Sequence, residues 1–102
     1  MTPSMATVDV VHTSARAIVV LRGELDMSNV ADVDQRLRTH LPVDGGSVTI
    51  HLDEVTYLDS SGLRLLADLA QEPSIELLLV APAGGCARQA IAASRPVWSF
   101  MR

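Results

Sequence analysis

Lysine is absent from this chain, and all of its eight basic residues are arginines scattered along 102 positions. Proteins that bind the phosphate backbone of nucleic acids present clusters of Lys and Arg, and anionic membrane surfaces attract the same clusters. The formal net charge of −4 at pH 7 would add repulsion from both. We therefore expect no nucleic acid partner and no membrane partner.

Cysteine is equally scarce, since Cys86 is the only one. A single cysteine forms no internal disulfide and no multi-thiolate zinc site, so a reducing compartment is the simpler expectation. No window approaches about 18 consecutive apolar residues, which excludes a transmembrane helix. The first seven residues have neither the basic head nor the apolar stretch of a signal peptide. These absences predict a cytoplasmic protein.

Aromatic residues make up only 3% of the chain, whereas hydrophobic residues make up 48%. The core must therefore consist of Val, Leu, Ile and Ala. A chain of this length suits one folded domain with one core, and its composition is that of a globular protein. No internal repeat or linker divides it.

Runs rich in β-branched residues, or with alternating apolar positions, predict strands. The second of them ends at Gly23, and the fourth is a nearly continuous apolar run that is typical of a central strand covered on both faces. The predicted strands are Thr7–His12, Ala15–Arg22, Ser47–Leu52, Ile75–Val80 and Val97–Met101.

Apolar residues at spacings of three and four predict helices between these strands. The first helix has Ser28 as its N-cap, and Pro42 with Gly45-Gly46 ends it. Its apolar stripe is Val30, Val33, Leu37 and Leu41. Two acid-first pairs, Asp32/Arg36 and Asp34/Arg38, support the same helix.

A second helix begins near Ser60 or Ser61 and is bounded by Pro73, and a short third helix covers Cys86–Ala93. The second helix has an apolar stripe of Leu63, Leu66 and Ala70, widened by Leu65 and Leu69. The element order is therefore β-β-α-β-α-β-α-β. Alternation of strands and helices after an initial hairpin predicts an α/β fold, with a mixed, mostly parallel sheet of about five strands and three helices.

Enzymatic and metal sites find little support in the sequence. No Gly-x-Ser-x-Gly elbow is present, and nothing places His12, His40 or His51 beside a serine as a catalytic triad requires. His51, Asp53 and Asp59 are conceivable metal ligands, but acids that leave a strand are more often caps and turn formers. We expect no catalytic residues, no metal and no cofactor.

The glycine-rich segment Pro82-Ala83-Gly84-Gly85-Cys86 resembles a phosphate-binding loop only loosely. It has no P-loop Lys, so a turn is the better interpretation. Cys86 is interpreted as a small apolar side chain in the core.

The segment Asp59-Ser60-Ser61-Gly62-Leu63 stands immediately before the second helix. Helix capping explains one of its polar residues, but not three in succession. The first-turn N–H groups of a helix and its dipole favour negative charge, so a phosphoserine is tolerated at such a place. It would add about −1.5 to −2 charges, which a docked partner would feel.

Two motifs together resemble the STAS domain family, and in particular the bacterial anti-sigma factor antagonists, or anti-anti-sigma factors. The motifs are Gly23-Glu24-Leu25-Asp26 and Leu52-Asp53-Glu54-Val55-Thr56-Tyr57-Leu58-Asp59-Ser60-Ser61-Gly62-Leu63. The resemblance covers nearly the whole chain, residues 1–102 forming one STAS domain with a core of about residues 7–100.

This resemblance implies a partner switch. The unphosphorylated antagonist binds an anti-sigma factor serine kinase and frees a sigma factor, and phosphorylation by that kinase dissociates the complex. A phosphoserine phosphatase resets the switch. The serine that follows the Asp is the acceptor, which implies Ser60, with Ser61 as the weaker candidate. The implied partner-binding residues are Asp26, Asp59, Ser60, Ser61, Gly62 and Leu63.

Two other functions remain open. Some stand-alone STAS subunits dock on the ATPase of an ABC transporter in lipid transport, where the motif loop is a docking element rather than a phosphorylation site. Weak nucleotide binding has also been proposed for STAS domains, although no Walker-type Lys is present here.

Overall fold

A computed structural model describes residues 6–12, 16–40, 46–82, 84–86 and 88–89. The elements are β1 (Ala6–His12), β2 (Arg16–Leu25), α1 (Val30–Thr39), β3 (Gly46–Leu58), α2 (Ser60–Ala70) and β4 (Ile75–Val80). No helix among them is long and apolar enough to cross a membrane.

The four described strands form one sheet in the order β1-β2-β3-β4. β1 pairs antiparallel with β2, whereas β2 with β3 and β3 with β4 pair parallel. The predicted α/β fold with a mixed, mostly parallel sheet is confirmed, with four strands and two helices in the described residues. The predicted strand Val97–Met101 lies outside the described residues, as does most of the predicted helix Cys86–Ala93.

The helices and one face of the sheet share a single core of Val, Leu, Ile and Ala, as the shortage of aromatics predicts. Its most completely buried side chains are Leu21, Leu25, Leu37, Ile50, Leu52, Leu66, Leu69 and Leu79, with Val19, Val33 and Val48. The other face of the sheet is less covered, since Val11 is 72% exposed and Ile18 is 40% exposed.

β2 and β3 both continue past their predicted ends, which corrects two sequence predictions. Gly23 does not end β2; it adopts φ 90° inside the strand, beside one of two register shifts against β3. β3 runs to Leu58 rather than ending at Leu52. Its Glu54 accepts a hydrogen bond from Arg22 Nε at 3.0 Å, and Arg22 also pairs with Asp9. The hydrogen bond to Glu54 is the largest cause of a raised pKa of the Arg22 guanidinium, and the bond to Asp9 adds to it.

The start of α1 also differs from the prediction. The N-cap position is Asn29 rather than Ser28, and the Asn29 side chain makes no capping bond. Both predicted ion pairs form, with Arg36 Nε 3.1 Å from Asp32 Oδ2 and Arg38 Nε 3.0 Å from Asp34 Oδ1. Of the predicted stripe, Val33 and Leu37 are buried and Val30 packs against the core, whereas Leu41 lies outside the described residues.

α2 has the predicted start and apolar face, whereas within the described residues β4 is not the central strand covered on both faces that its apolar run predicts. α2 begins at Ser60 and buries Leu65, Leu66 and Leu69 against the core. β4 has the predicted bounds, but only Leu77 and Leu79 are buried, and β3 is its only neighbour among the described strands.

The segment after β4 confirms one prediction and corrects another. Gly85 N donates to Pro82 O at 2.9 Å, which confirms the predicted turn. Cys86 was expected in the core, but it is only half-buried, because it follows this turn at the surface.

Candidate functional site

Two loops meet at one edge of the sheet, where parallel β2 and β3 end together. Leu25 and Leu58, the last residues of the two strands, are register partners. The N–H group of Asp59 continues this ladder by donating to Leu25 O at 3.3 Å. The structure therefore brings the loop of residues 26–29, which we call the Asp26 loop, beside the start of α2.

The Asp59 carboxylate bonds to both of these segments. Oδ1 accepts hydrogen bonds from Ser61 N at 2.9 Å and Gly62 N at 3.1 Å, which makes Asp59 the side-chain cap of α2. Oδ2 accepts a hydrogen bond from Met27 N at 3.3 Å, across 32 residues of sequence. Two first-turn N–H groups are thus already occupied, although the phosphate tolerance expected from the sequence requires them to be unsatisfied.

Ser60 is the first residue of α2 and is exposed. Its hydroxyl forms no hydrogen bond with the described residues. Ser61 is half-buried and lines the groove between the helices. Of the two predicted acceptors, Ser60 is therefore the more accessible to a modifying enzyme.

Gly62 is buried where α2 approaches the ends of β2 and β3. A Cβ atom at this position would lie 2.5 Å from Leu58 Cδ1 and 3.0 Å from both Leu25 Cγ and Leu25 O. Glycine is therefore needed for close packing. Leu63 is half-buried and packs against the core.

Asp26 stabilises its own loop through hydrogen bonds. Its Oδ1 accepts hydrogen bonds from Ser28 N at 2.9 Å and from the Ser28 hydroxyl. Its N–H group donates to Asn29 Oδ1 at 3.1 Å, and Asn29 Nδ2 donates to Glu24 O at 2.7 Å. The Ser28 and Asn29 side chains are therefore bonded to their own loop and to the end of β2, which explains the absence of a side-chain cap on α1.

Two large apolar side chains flank the site, and the sequence prediction missed both. Met27 is 79% exposed in the Asp26 loop, and Tyr57 is 49% exposed near the end of β3. An apolar residue between Asp26 and Ser28 in a turn was the available signal for Met27. Exposed apolar side chains beside a polar loop are typical of protein docking surfaces.

A groove of about 270 Å³ between the helices, which we call the α1–α2 groove, begins beside Ser61. The sequence did not predict it, because it arises from the packing of two helices. Its lining combines apolar residues with two arginines and two aspartates. The lining residues are Val30, Ala31, Asp34, Arg38, Ser61, Arg64, Leu65 and Asp68.

The three conceivable metal ligands do not form a cluster in the part of the chain that the structure describes. His51 Nδ1 lies 3.7 Å from Asp53 Oδ1, but no group of three His, Cys, Asp or Glu side chains suits a metal ion there. The three histidines belong to separate parts of the fold, since His12 ends β1, His40 follows α1 and His51 lies within β3.

Solved structures share this fold. An anti-sigma factor antagonist from Mycobacterium paratuberculosis is similar with a TM-score of 0.72 and 24% identity, over 86% of this chain and 77% of that one. An antisigma-factor antagonist STAS domain from Rhodobacter sphaeroides has a TM-score of 0.62 and 17% identity, over 87% and 95%. The anti-sigma factor antagonist SpoIIAA, in its unphosphorylated form, has a TM-score of 0.57 and 19% identity, over 78% and 74%.

Sequence identities this low show a common fold, so the family assignment comes from a family model. The model described as "Mlab, STAS domain" matches residues 8–93, which is most of the chain. The match includes both motifs, the Asp26 loop and all of α2. The chain therefore belongs to the STAS domain family.

Proposed function

We propose that this protein is an anti-sigma factor antagonist that is switched by phosphorylation of Ser60. In the unphosphorylated form it binds an anti-sigma factor serine kinase and so frees a sigma factor. Phosphorylation by that kinase ends the binding, and a phosphoserine phosphatase restores it. The protein acts as a substrate and a docking partner, not as an enzyme.

The observation that carries the proposal is the exposed Ser60 hydroxyl at the start of α2, beside the Asp26 loop. A kinase requires an accessible hydroxyl, and Ser60 has no internal hydrogen bond among the described residues that would have to be broken. Met27 in the Asp26 loop and Tyr57 near the end of β3 add exposed apolar surface in the adjoining segments. A phosphoryl group of about −1.5 to −2 charges beside these residues would disfavour a docked surface through desolvation and repulsion.

Intact mass measurement tests the proposal. The chain is incubated with ATP and the serine-kinase anti-sigma factors of the same genome, each in turn. We expect one added phosphate on the parent chain and on Ser61→Ala, and none on Ser60→Ala. Full phosphate incorporation in Ser60→Ala would contradict the assignment of Ser60.

Binding measurements on the same variants test the switch itself. Ser60→Asp should abolish binding to the kinase, because a carboxylate reproduces part of the phosphate charge. Ser60→Ala should bind but not be released when ATP is added. Equal binding of Ser60→Asp and the parent chain would contradict the proposed mechanism.

A second function is favoured by the description of the matching family model, which names Mlab. In this alternative the protein is a stand-alone STAS subunit that docks on an ABC transporter ATPase in lipid transport. The same surface would dock, without phosphate on Ser60. Co-purification of the tagged chain with an ABC ATPase, and a mass that shows no phosphate, would favour this alternative.

A further inference from the structure

A phosphoryl group on Ser60 would meet a helix start at which the N–H groups of the three following residues are already in use. Ser61 N and Gly62 N donate to Asp59 Oδ1, and Leu63 N donates to Asp59 O at 3.0 Å. The charged residue next to Ser60 in the sequence, Asp59, and that of the adjoining loop, Asp26, are both carboxylates, so neither neutralises a phosphoryl group. The added negative charge therefore needs a cation from elsewhere on the surface.

Arg64 stands one helical turn after Ser60 on α2. Side chains at positions i and i+4 of a helix are neighbours on one face. Both residues are exposed, so a longer group on Ser60 and the guanidinium of Arg64 would meet in solvent without displacing core atoms. An acid that precedes a base by four residues is also the favourable order.

Arg64 has no ion pair or hydrogen bond with any other residue that the structure describes. In contrast, the arginines Arg22, Arg36 and Arg38 each contact a carboxylate. In the α1–α2 groove, Asp34 is already 3.0 Å from Arg38, which also lies 3.3 Å from Glu72. Asp68, one turn further along α2, lines the same groove without forming a pair with Arg64. The Arg64 guanidinium therefore has no carboxylate partner among the described residues.

We propose that Arg64 is the phosphate-binding residue of the switch, its guanidinium pairing with the phosphoryl oxygens on Ser60 of the same chain. This inference takes its biological meaning from the proposed function. The pair holds the phosphoryl group along α2 and away from the Asp59 carboxylate. Arg64 thereby stabilises the phosphorylated state.

The test places phosphoserine at position 60 of the full chain during translation, so no kinase is needed. The phosphate is titrated by ³¹P NMR at low ionic strength, in the parent chain and in Arg64→Gln. A nearby cation favours the dianion, so the phosphate pKa should be lower in the parent chain by roughly 0.3, as for an exposed i,i+4 pair. Arg64→Lys keeps the charge and should restore most of the difference.

Arg16→Gln is the matched control. Arg16 is also exposed and lacks a partner among the described residues, but it lies at the start of β2, at the opposite end of the strand from the site. It should leave the phosphate pKa unchanged. Equal pKa values in the parent chain and Arg64→Gln would overturn the proposal, as would an equal effect of Arg16→Gln, which would indicate net charge alone.

The outcome is separable from that of the proposed function. A chain that shows the Arg64 effect but accepts no phosphate from any kinase would contradict the switch and leave the ion pair standing. A chain that is phosphorylated on Ser60 but shows no Arg64 effect would contradict only the ion pair. Circular dichroism of each variant verifies that α2 remains folded.

Discussion

Asp59 is a single carboxylate that makes three hydrogen bonds to two separate segments. It caps α2 through Ser61 N and Gly62 N and accepts from Met27 N in the Asp26 loop. Neither Ser60 nor Ser61 provides this cap, which leaves both hydroxyls available.

Replacement of this carboxylate should destabilise the protein measurably. Asp59→Ala removes the cap and the bond to Met27, so we expect a loss of about 1–2 kcal/mol in the free energy of unfolding. Urea unfolding followed by circular dichroism measures it. Ser60→Ala is the matched control and should change stability by less than about 0.5 kcal/mol. Equal stabilities of the two variants would contradict the role assigned to Asp59.

Gly62 offers a second test at the scale of one atom. In Gly62→Ala the added Cβ must displace Leu58 Cδ1, 2.5 Å away, and the backbone of β2 at Leu25 O, 3.0 Å away. Such overpacking costs about 1–3 kcal/mol of unfolding free energy. Gly84→Ala is the control, because nothing lies within 4 Å of the place that its added methyl group would take. A thermal melt of Gly62→Ala that matches that of Gly84→Ala would disprove the close approach.

At the scale of elements, the irregular pairing of β2 with β3 determines where the site stands. The register shifts fall between Val20 and Arg22 and between Gly23 and Glu24. Beyond the first shift, the buried positions of β3 change from every second residue to every third, at Leu52, Val55 and Leu58. Both strands can thus extend to the loops that carry the site.

The backbone of Gly23 makes this pairing testable. Its φ of 90° lies in a region that L side chains rarely adopt. Gly23→Ala should therefore cost about 1–2 kcal/mol in the free energy of unfolding. Differential scanning calorimetry of Gly23→Ala, again against Gly84→Ala, provides the measurement. An unchanged melting temperature would mean that β2 accommodates a side chain there by shifting its register.

The elements that the sequence predicted well are those whose pattern is local. The apolar spacing and the polar residues Asp59-Ser60 predict the start of α2, and the nearly continuous apolar run between Pro73 and Pro82 predicts the bounds of β4. The end of β3 was not predictable in this way, because Asp53-Glu54 resembles a turn until the contact of Glu54 with Arg22 is known. The end of β2 was missed because glycine commonly interrupts a strand, whereas Gly23 stays within this one at φ 90°. The N-cap of α1 was wrong because Asp26 engages Ser28, and that contact depends on the folded loop.

Some features of the candidate site were likewise predictable from the sequence, and others were not. The resemblance implied that the two motifs share a surface, and Asp59 as a cap is readable from its position before the helix. The bond from Met27 to Asp59 and the α1–α2 groove were not predictable, because each joins segments that are distant in the chain. The roles in binding a partner stay predictions for all six residues named for it: Asp26, Asp59, Ser60, Ser61, Gly62 and Leu63.

At the scale of the whole molecule, one face of the sheet packs against the helices, and the other face is less covered in the described residues. Residues of the same type therefore differ sharply in their surroundings: Ile50 is fully buried, whereas Ile18 is 40% exposed. Among the described residues, the buried core consists of aliphatic side chains.

The two isoleucines form a matched pair of variants. Ile50→Ala should cost about 2–5 kcal/mol, because it opens a cavity in the core. Ile18→Ala removes a side chain of the same size from the exposed face, where surface changes stay within about 0.5 kcal/mol and partial burial adds a little. Chemical denaturation of both variants tests the assignment of the faces. Similar losses would mean that the second face is covered as well.

The register shifts also have a consequence for chain-length changes in this protein. From Val20 to Leu25 the chain advances five residues, whereas its partner segment from His51 to Leu58 advances seven. Deletion of one residue from this part of β3 would rotate everything after it by one pleat. Leu58 would then point away from the core, and the bond from Asp59 N to Leu25 O, which holds the start of α2 at the end of β2, would be lost. A one-residue insertion or deletion here would thus displace the candidate site and the packing of α2 together.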